Sequence, residues 1–268
     1  MAQIITVTNQ KGGVGKTTTA SSLVCGLYQR GAKVLGVDLD PQGNLGFNLG
    51  LDISAGSTIF DVFKGECSVE GAIQSTEYGD VLPSDIMLSA AEVEFTAPRR
   101  EFMLSDLLTG VREQYDFIII DTPPALNILT VNAYVASTGL IVPMEAEVLS
   151  LVGITQLQET INIVRDSFNP GLKVLGILIN KYNGRLALSK DILEMAQVVA
   201  EQLDSQVFEA KIHRGVSVAM APAHGQTVLT FQPDSRPALD FQSILDAVAG
   251  DRFPRPKTKR RYLSRFFN

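Results

Sequence analysis

Two lysines and three glycines crowd into one short stretch, Gln10-Lys11-Gly12-Gly13-Val14-Gly15-Lys16-Thr17-Thr18, directly after an apolar run and before a helical one. Glycines let backbone N–H groups turn inward around a phosphate chain, and the start of the following helix adds positive potential. Lys16 can reach the terminal phosphates of a nucleoside triphosphate, and the Thr17 hydroxyl can ligate Mg²⁺. The usual phosphate loop has glycine where Gln10 stands. This chain instead carries a second lysine, Lys11, at the loop's start. An incidental glycine-rich turn is the rival reading, and the strand before and helix after it count against that.

Two further apolar runs end in acids. Asp38-Leu39-Asp40-Pro41-Gln42-Gly43-Asn44 follows Val34–Val37. Alternation puts Asp38 and Asp40 on one side of an extended segment, where they could orient an attacking water or organise Mg²⁺. A turn capped by Asp40 is the plainer alternative. Phe117-Ile118-Ile119-Ile120-Asp121-Thr122-Pro123-Pro124 reads as a Walker B strand, with Asp121 holding Mg²⁺ through a water or holding the Thr17 hydroxyl. A lone acid at a strand end is usually only a polar stop; three phosphate-relevant loops at three strand ends are harder to dismiss.

The elements that must position these residues are short, β-branched runs at Ile4–Thr8, Val34–Val37, Phe117–Ile120, Leu140–Val142 and Val174–Ile179, suited to strands buried on both faces. Amphipathic stretches alternate with them: Thr17–Gln29, Phe102–Glu113, Leu126–Ala136, Leu149–Asp166, Leu188–Leu203 and Ala238–Val248. The pattern predicts an α/β fold, a mostly parallel twisted sheet with helices on both faces. Ligands of such sheets sit beyond the carboxyl ends of the strands. With no repeat and no long linker, one domain over 1–251 and a tail over 252–268 is the expected division.

The 268 residues are 45% hydrophobic and 19% charged, enough for a sizeable core and too apolar for disorder. The net charge of −6 is unevenly spread. Residues 252–268 hold seven basic residues and no acid, which leaves 16 basic against 29 acidic residues in 1–251, a balance of −13. An acidic body argues against indiscriminate polyanion binding, so any nucleic-acid contact must be local or run through the tail. Cys25 and Cys67 are too few for a disulfide scaffold or a cysteine zinc site. No run of roughly 18 apolar residues suggests a membrane span, and Met1-Ala2-Gln3-Ile4 lacks a signal peptide's basic and apolar segments. A cytoplasmic protein is expected.

Lys11-Gly-Gly-Val-Gly-Lys16-Thr-Thr, Asp38-Leu-Asp-Pro-Gln-Gly-Asn44 and Ile120-Asp-Thr-Pro-Pro124 together resemble the ParA-type deviant Walker-A ATPases. Leu82-Pro83-Ser84, Val142 to Glu147, Gly176 to Lys181 and Ala221-Pro222-Ala223-His224-Gly225 extend the resemblance over roughly residues 3–249. It implies a single P-loop NTPase domain that hydrolyses ATP slowly with Mg²⁺ and pairs as an ATP sandwich dimer. Lys11 would then cross to the phosphates of the partner copy. Two tetra-anions face to face repel unless cations intervene. Gly12, Gly13, Val14, Gly15, Lys16, Thr17 and Thr18 would cradle the chain's own nucleotide, Thr17 and Asp121 would hold magnesium, and Asp40, with Asp38 near, the water. Asn180 matches the position that recognises the adenine edge, and the backbone around Pro222–His224 would line the same pocket.

The resemblance further implies non-specific DNA binding by the dimer, release on hydrolysis stimulated by a ParB-like or other small adaptor, and a nucleoid-associated location. The cargo would be a plasmid, a chromosome origin or a protein organelle such as the carboxysome. Lys181, Arg185, Lys190, Lys211 and Arg214 match its basic positions, whereas Ser217 stands where the family often has another arginine. The tail's basic and aromatic residues, Tyr262, Leu263, Phe266 and Phe267 included, also resemble the membrane anchor of MinD ATPases. The tail thus has three readings: membrane helix, DNA grip or solvated end. A membrane-cycling ATPase is the alternative function, and a metabolic enzyme on the same scaffold a third. His224 reads as a packing residue rather than a base, and His213 has no ligand set. Cys25 and Cys67 are misplaced for the interfacial cluster of nitrogenase iron proteins.

Overall fold

The computed structural model describes residues 1–52, 55–145, 151–183 and 189–256. Seven strands, β1 (Gln3–Val7), β2 (Val34–Asp38), β3 (Gln74–Thr76), β4 (Gly79–Leu82), β5 (Phe117–Asp121), β6 (Gly139–Glu145) and β7 (Lys173–Asn180), form one sheet in the order β3-β4-β2-β5-β1-β6-β7. All neighbours run parallel except β3 and β4. Alternation along each strand feeds a core on either face. Ile118 and Ile120 join one apolar cluster with Val37 and Tyr134, while Phe117 and Ile119 join the other with Ile5, Leu23 and Phe241. Burial of both faces is why these strands read as continuous apolar runs.

The β3–β4 hairpin was not among the expected strands. β3 reads Gln-Ser-Thr and sits at the sheet edge, so no apolar run marks it. Side chains hold the hairpin instead: Ser75 and the Tyr115 hydroxyl both donate to Asp80, at 2.7 and 3.0 Å. The expected helix over Phe102–Glu113 is broken into Met103–Leu108 between two 3₁₀ turns, Arg100–Phe102 and Arg112–Gln114. Other expected helices appear with small end shifts, at Ile128–Ala136, Leu151–Ser167, Ser189–Gln202 and Arg236–Ala249.

Helix α1 (Lys16–Gln29) leaves the carboxyl end of β1 and packs on the Arg236–Ala249 helix. Gly26 permits this approach: a Cβ there would lie 2.1 Å from a Leu245 methyl carbon. At the opposite rim, residues placed in the tail are packed. Arg252 pairs with Asp116, and the Phe253 ring meets Phe117 edge-on at 5.7 Å. Residues 257–268 lie outside the described residues. Among the described residues, no helix is long and apolar enough to cross a membrane.

Candidate nucleotide site

Sheet register assembles the site. Val7 lies beside Asp121, and Asp121 beside Asp38, so β1, β5 and β2 end in line. Asn9 anchors the loop that follows β1. Its amide donates to the Pro143 carbonyl at 2.8 Å, and its side-chain oxygen accepts from the Lys11 N–H at 2.9 Å. Gly13 and Gly15 take positive φ, 77° and 91°, a conformation that L side chains rarely adopt. Gly15 caps α1, and a Cβ on it would stand 2.6 Å from the Asn180 amide nitrogen.

Lys16 opens α1 and is buried, its Nζ donating to the Lys11 carbonyl at 3.2 Å. Burial lowers its pKa, and the Asp121 and Asp40 carboxylates oppose that shift. Asp121 is fully buried, and neither carboxylate oxygen closes a hydrogen bond of good geometry. Desolvation pushes its pKa up to about 7; the Thr17 hydroxyl beside it is the strongest influence the other way. A buried carboxylate with two orphaned oxygens next to a threonine hydroxyl is a hard-oxygen donor set suited to Mg²⁺.

The two remaining acids divide their tasks. Asp38, also fully buried, accepts from the Asp40 N–H and the Leu45 N–H, both at 2.9 Å. Burial and neighbouring Asp121 raise its pKa well above the ordinary carboxylate value. Asp38 was expected near water or metal; its oxygens accept from the backbone of the Asp40–Leu45 loop, and Asp121 lies close by. Asp40 makes the capped turn that was its plainer reading, accepting from the Gln42 N–H at 3.0 Å, and sits near enough to Lys16 to influence it.

Beside the phosphate loop lies a cavity of about 300 Å³ whose walls include Val14, Asn180, Ile212, Val218 and Phe241. Asn180 donates to the Val14 carbonyl at 2.8 Å, and its side-chain oxygen is buried without a partner. Pro222 does not line this cavity. The Ala221–His224 turn packs on Gly50, where an added Cβ would meet the Gly225 carbonyl oxygen at 3.1 Å. His224 stacks on Phe231 at 5.0 Å.

Of the five predicted DNA residues, Lys181, Lys211 and Arg214 have described side chains. Lys181 and Arg214 border the cavity beside the phosphate loop, and Lys211 lies over the Tyr182 ring at 5.9 Å. Arg185 lies outside the described residues; Lys190 is the second residue of the Ser189–Gln202 helix, and its side chain is not described. Ser217 is buried, so that position offers no surface for a phosphate contact. His213 donates its backbone N–H to buried Asp240 at 2.9 Å, with its Nδ1 2.7 Å from the same oxygen. Sequence reasoning missed this pair, and also Glu145, whose buried carboxylate receives both Lys11 and Lys181. The signals for Glu145 were its place in the Val142 to Glu147 segment of the resemblance and at the end of a buried strand, neither of which named its lysine partners.

Comparison with known proteins places this geometry. The AAA-domain family matches residues 2–174. The chain is 40% identical over 235 residues to the chromosome partitioning protein ParA of Caulobacter vibrioides, covering 85% of this chain and 87% of that protein. It is 36% identical over 255 residues to the sporulation initiation inhibitor protein Soj of Bacillus subtilis, covering 94% and 100%. The solved structure of cobyrinic acid a,c-diamide synthase from Mycobacterium smegmatis, with bound ATP analog and magnesium, superposes with a TM-score of 0.82 at 34% identity, covering 92% of this chain and 94% of that one.

Proposed function

The chain belongs to the AAA-domain family, among its ParA/Soj-type P-loop ATPases, and from that premise we propose that it works as an ATP-gated dimer that grips DNA without sequence preference. It is a positioning ATPase of the ParA family that takes ATP and Mg²⁺. One observation carries the proposal furthest: three strand ends bring the glycine loop, Asp40 and the orphaned Asp121 around one buried lysine.

The roles follow from the chemistry. Amides of Gly12–Thr18 and the Lys16 ammonium bind the phosphates, and Thr17 with Asp121 hold Mg²⁺. When bound, the metal neutralises charge on the β- and γ-phosphate oxygens. Asp40 orients the attacking water, and Asp38 keeps the Asp40 loop in shape. The cavity beside Val14 and Asn180 takes the base. Lys11, half exposed at the loop's rim, reaches the partner's phosphates. Pairing doubles a basic patch that includes Lys181, Lys211 and Arg214, so DNA affinity rises with dimerisation. Partner-stimulated hydrolysis then releases the dimer and lets a cargo move.

Light scattering and gel shifts on random duplex DNA test this together. We expect doubled mass and DNA retention with ATP, and neither with ADP. Equal mass and equal DNA binding in both nucleotides would overturn the proposal. Anionic vesicles in place of DNA test the membrane-cycling alternative. Turnover that depends instead on a carboxylic acid and an ammonia donor would favour a synthase like the Mycobacterium protein.

A further inference from the structure

Glu145 closes β6 directly opposite Asn180 of β7, so the next residue along, Lys181, stands beside its carboxylate. Lys181 takes a left-handed backbone, φ 53°, and its Nζ bonds Oε1 of Glu145. The other oxygen, Oε2, faces the Lys11 Nζ at 3.7 Å. Only 9% of the Glu145 side chain is exposed, against 53% for Lys11 and 47% for Lys181. One nearly buried carboxylate therefore serves two half-exposed ammoniums, one from the phosphate loop and one from the end of β7.

We propose that Glu145 is a latch that stores Lys11 while the chain is single, and that Lys181 makes the latch releasable. A buried carboxylate cannot be left without a counter-ion cheaply. If Lys11 were the sole partner, its departure toward a second nucleotide would strand Glu145. With Lys181 seated on Oε1, Lys11 leaves and the carboxylate stays neutralised. The triphosphate of a second copy then competes with Glu145 for Lys11 and wins by its greater charge. Glu145 thus sets the ATP level at which two copies pair, and Lys181 sets how firmly Glu145 holds.

The inference rests on the reading of Lys11 as the lysine given to the second copy. It predicts opposite shifts from two neighbouring substitutions. Glu145→Gln keeps an oxygen for Lys181 but loosens Lys11, so the ATP concentration giving half-maximal dimer falls about two- to fivefold, the range of a half-exposed ion pair. Lys181→Met leaves Glu145 with Lys11 alone, and the midpoint rises by a similar factor. The double substitution follows Glu145→Gln.

The measurement is light scattering across an ATP titration without DNA, so a DNA-binding role of Lys181 cannot move it. Melting temperature and single-chain ADP affinity are recorded for each variant to show that fold and phosphate loop are intact. Opposite shifts support the latch. Unchanged midpoints, or shifts in the same direction, overturn it. A raised midpoint for Glu145→Gln also overturns it, since Glu145 would then be receiving the partner's lysine within the dimer. If the parent chain itself fails to dimerise with ATP, the reading of Lys11 falls first and the latch with it.

Discussion

Asp121 is placed at a cost to the nucleotide-free fold. A fully buried carboxylate that closes no hydrogen bond of good geometry destabilises its surroundings, and its pKa stands near 7 rather than near 4 as in an unfolded chain. Between those values the folded state holds a proton that the unfolded state has released, so stability falls as pH rises through that window. Asp121→Asn should flatten this decline and raise the melting temperature of the nucleotide-free chain at pH 7 by about 3–6 °C. The same variant should lose the extra melting shift that Mg²⁺ adds to nucleotide. Scanning calorimetry from pH 4 to 8, with and without EDTA, reads both effects. The other two members of the cluster separate binding from hydrolysis. Lys16→Ala should abolish ATP binding by calorimetry. Asp40→Ala should bind ATP as the parent does, hydrolyse it at least tenfold more slowly, and remain paired; parent-rate phosphate release would remove Asp40 from the water.

Elements divide into those the sequence announces and those only the sheet reveals. β1, β2, β5, β6 and β7 were legible because burial on both faces demands continuous β-branched runs, as in Phe117–Ile120. β3 was not, because an edge strand of Gln74-Ser75-Thr76 looks like any polar turn. Helix Arg236–Ala249 was readable from its amphipathic period, yet its intimacy with α1 was not. That contact depends on one absent methyl at Gly26, which a linear pattern cannot register. The Glu145–Lys181 pairing needs the β6–β7 register, and the Ala221–His224 turn packs on Gly50 for reasons of tertiary fit. Gly26→Ala should therefore cost about 1–3 kcal/mol through overpacking against Leu245, seen as a lower urea midpoint, and Leu245→Val should restore part of it. A Gly26→Ala variant as stable as the parent would show that Leu245 swings aside freely.

The whole molecule has two poles. Nucleotide chemistry gathers at the carboxyl ends of β1, β2 and β5, while the chain's last described residues are fastened at the opposite rim, where β5 begins. Asp116 binds Arg252 there and also accepts from the Lys33 N–H at 2.9 Å. Buried Arg30 donates to the Gln242 and Phe253 carbonyls and pairs with Asp246. Arg252 and Phe253 thus make contacts with the body, and five of the seven basic residues of 252–268 follow Pro256, at Lys257, Lys259, Arg260, Arg261 and Arg265. Two truncations separate anchor from charge. A chain ending at Pro256 should melt within about 1 °C of the parent and keep its ATP midpoint for pairing, because none of the contacts described above is removed. If the basic residues touch DNA, its affinity for random duplex should fall, and its salt dependence should flatten by about one unit of slope per lost phosphate contact. If they touch lipid, flotation with anionic vesicles should be lost while the duplex titration stays put; if they touch neither, both assays should match the parent. A chain ending at Asp251 should differ from the Pro256 chain in stability alone. Removing Phe253 takes away the Phe117 contact and one acceptor of Arg30, so it should melt several degrees lower. Equal melting of the two truncated chains would place Arg252–Pro256 outside the folded body.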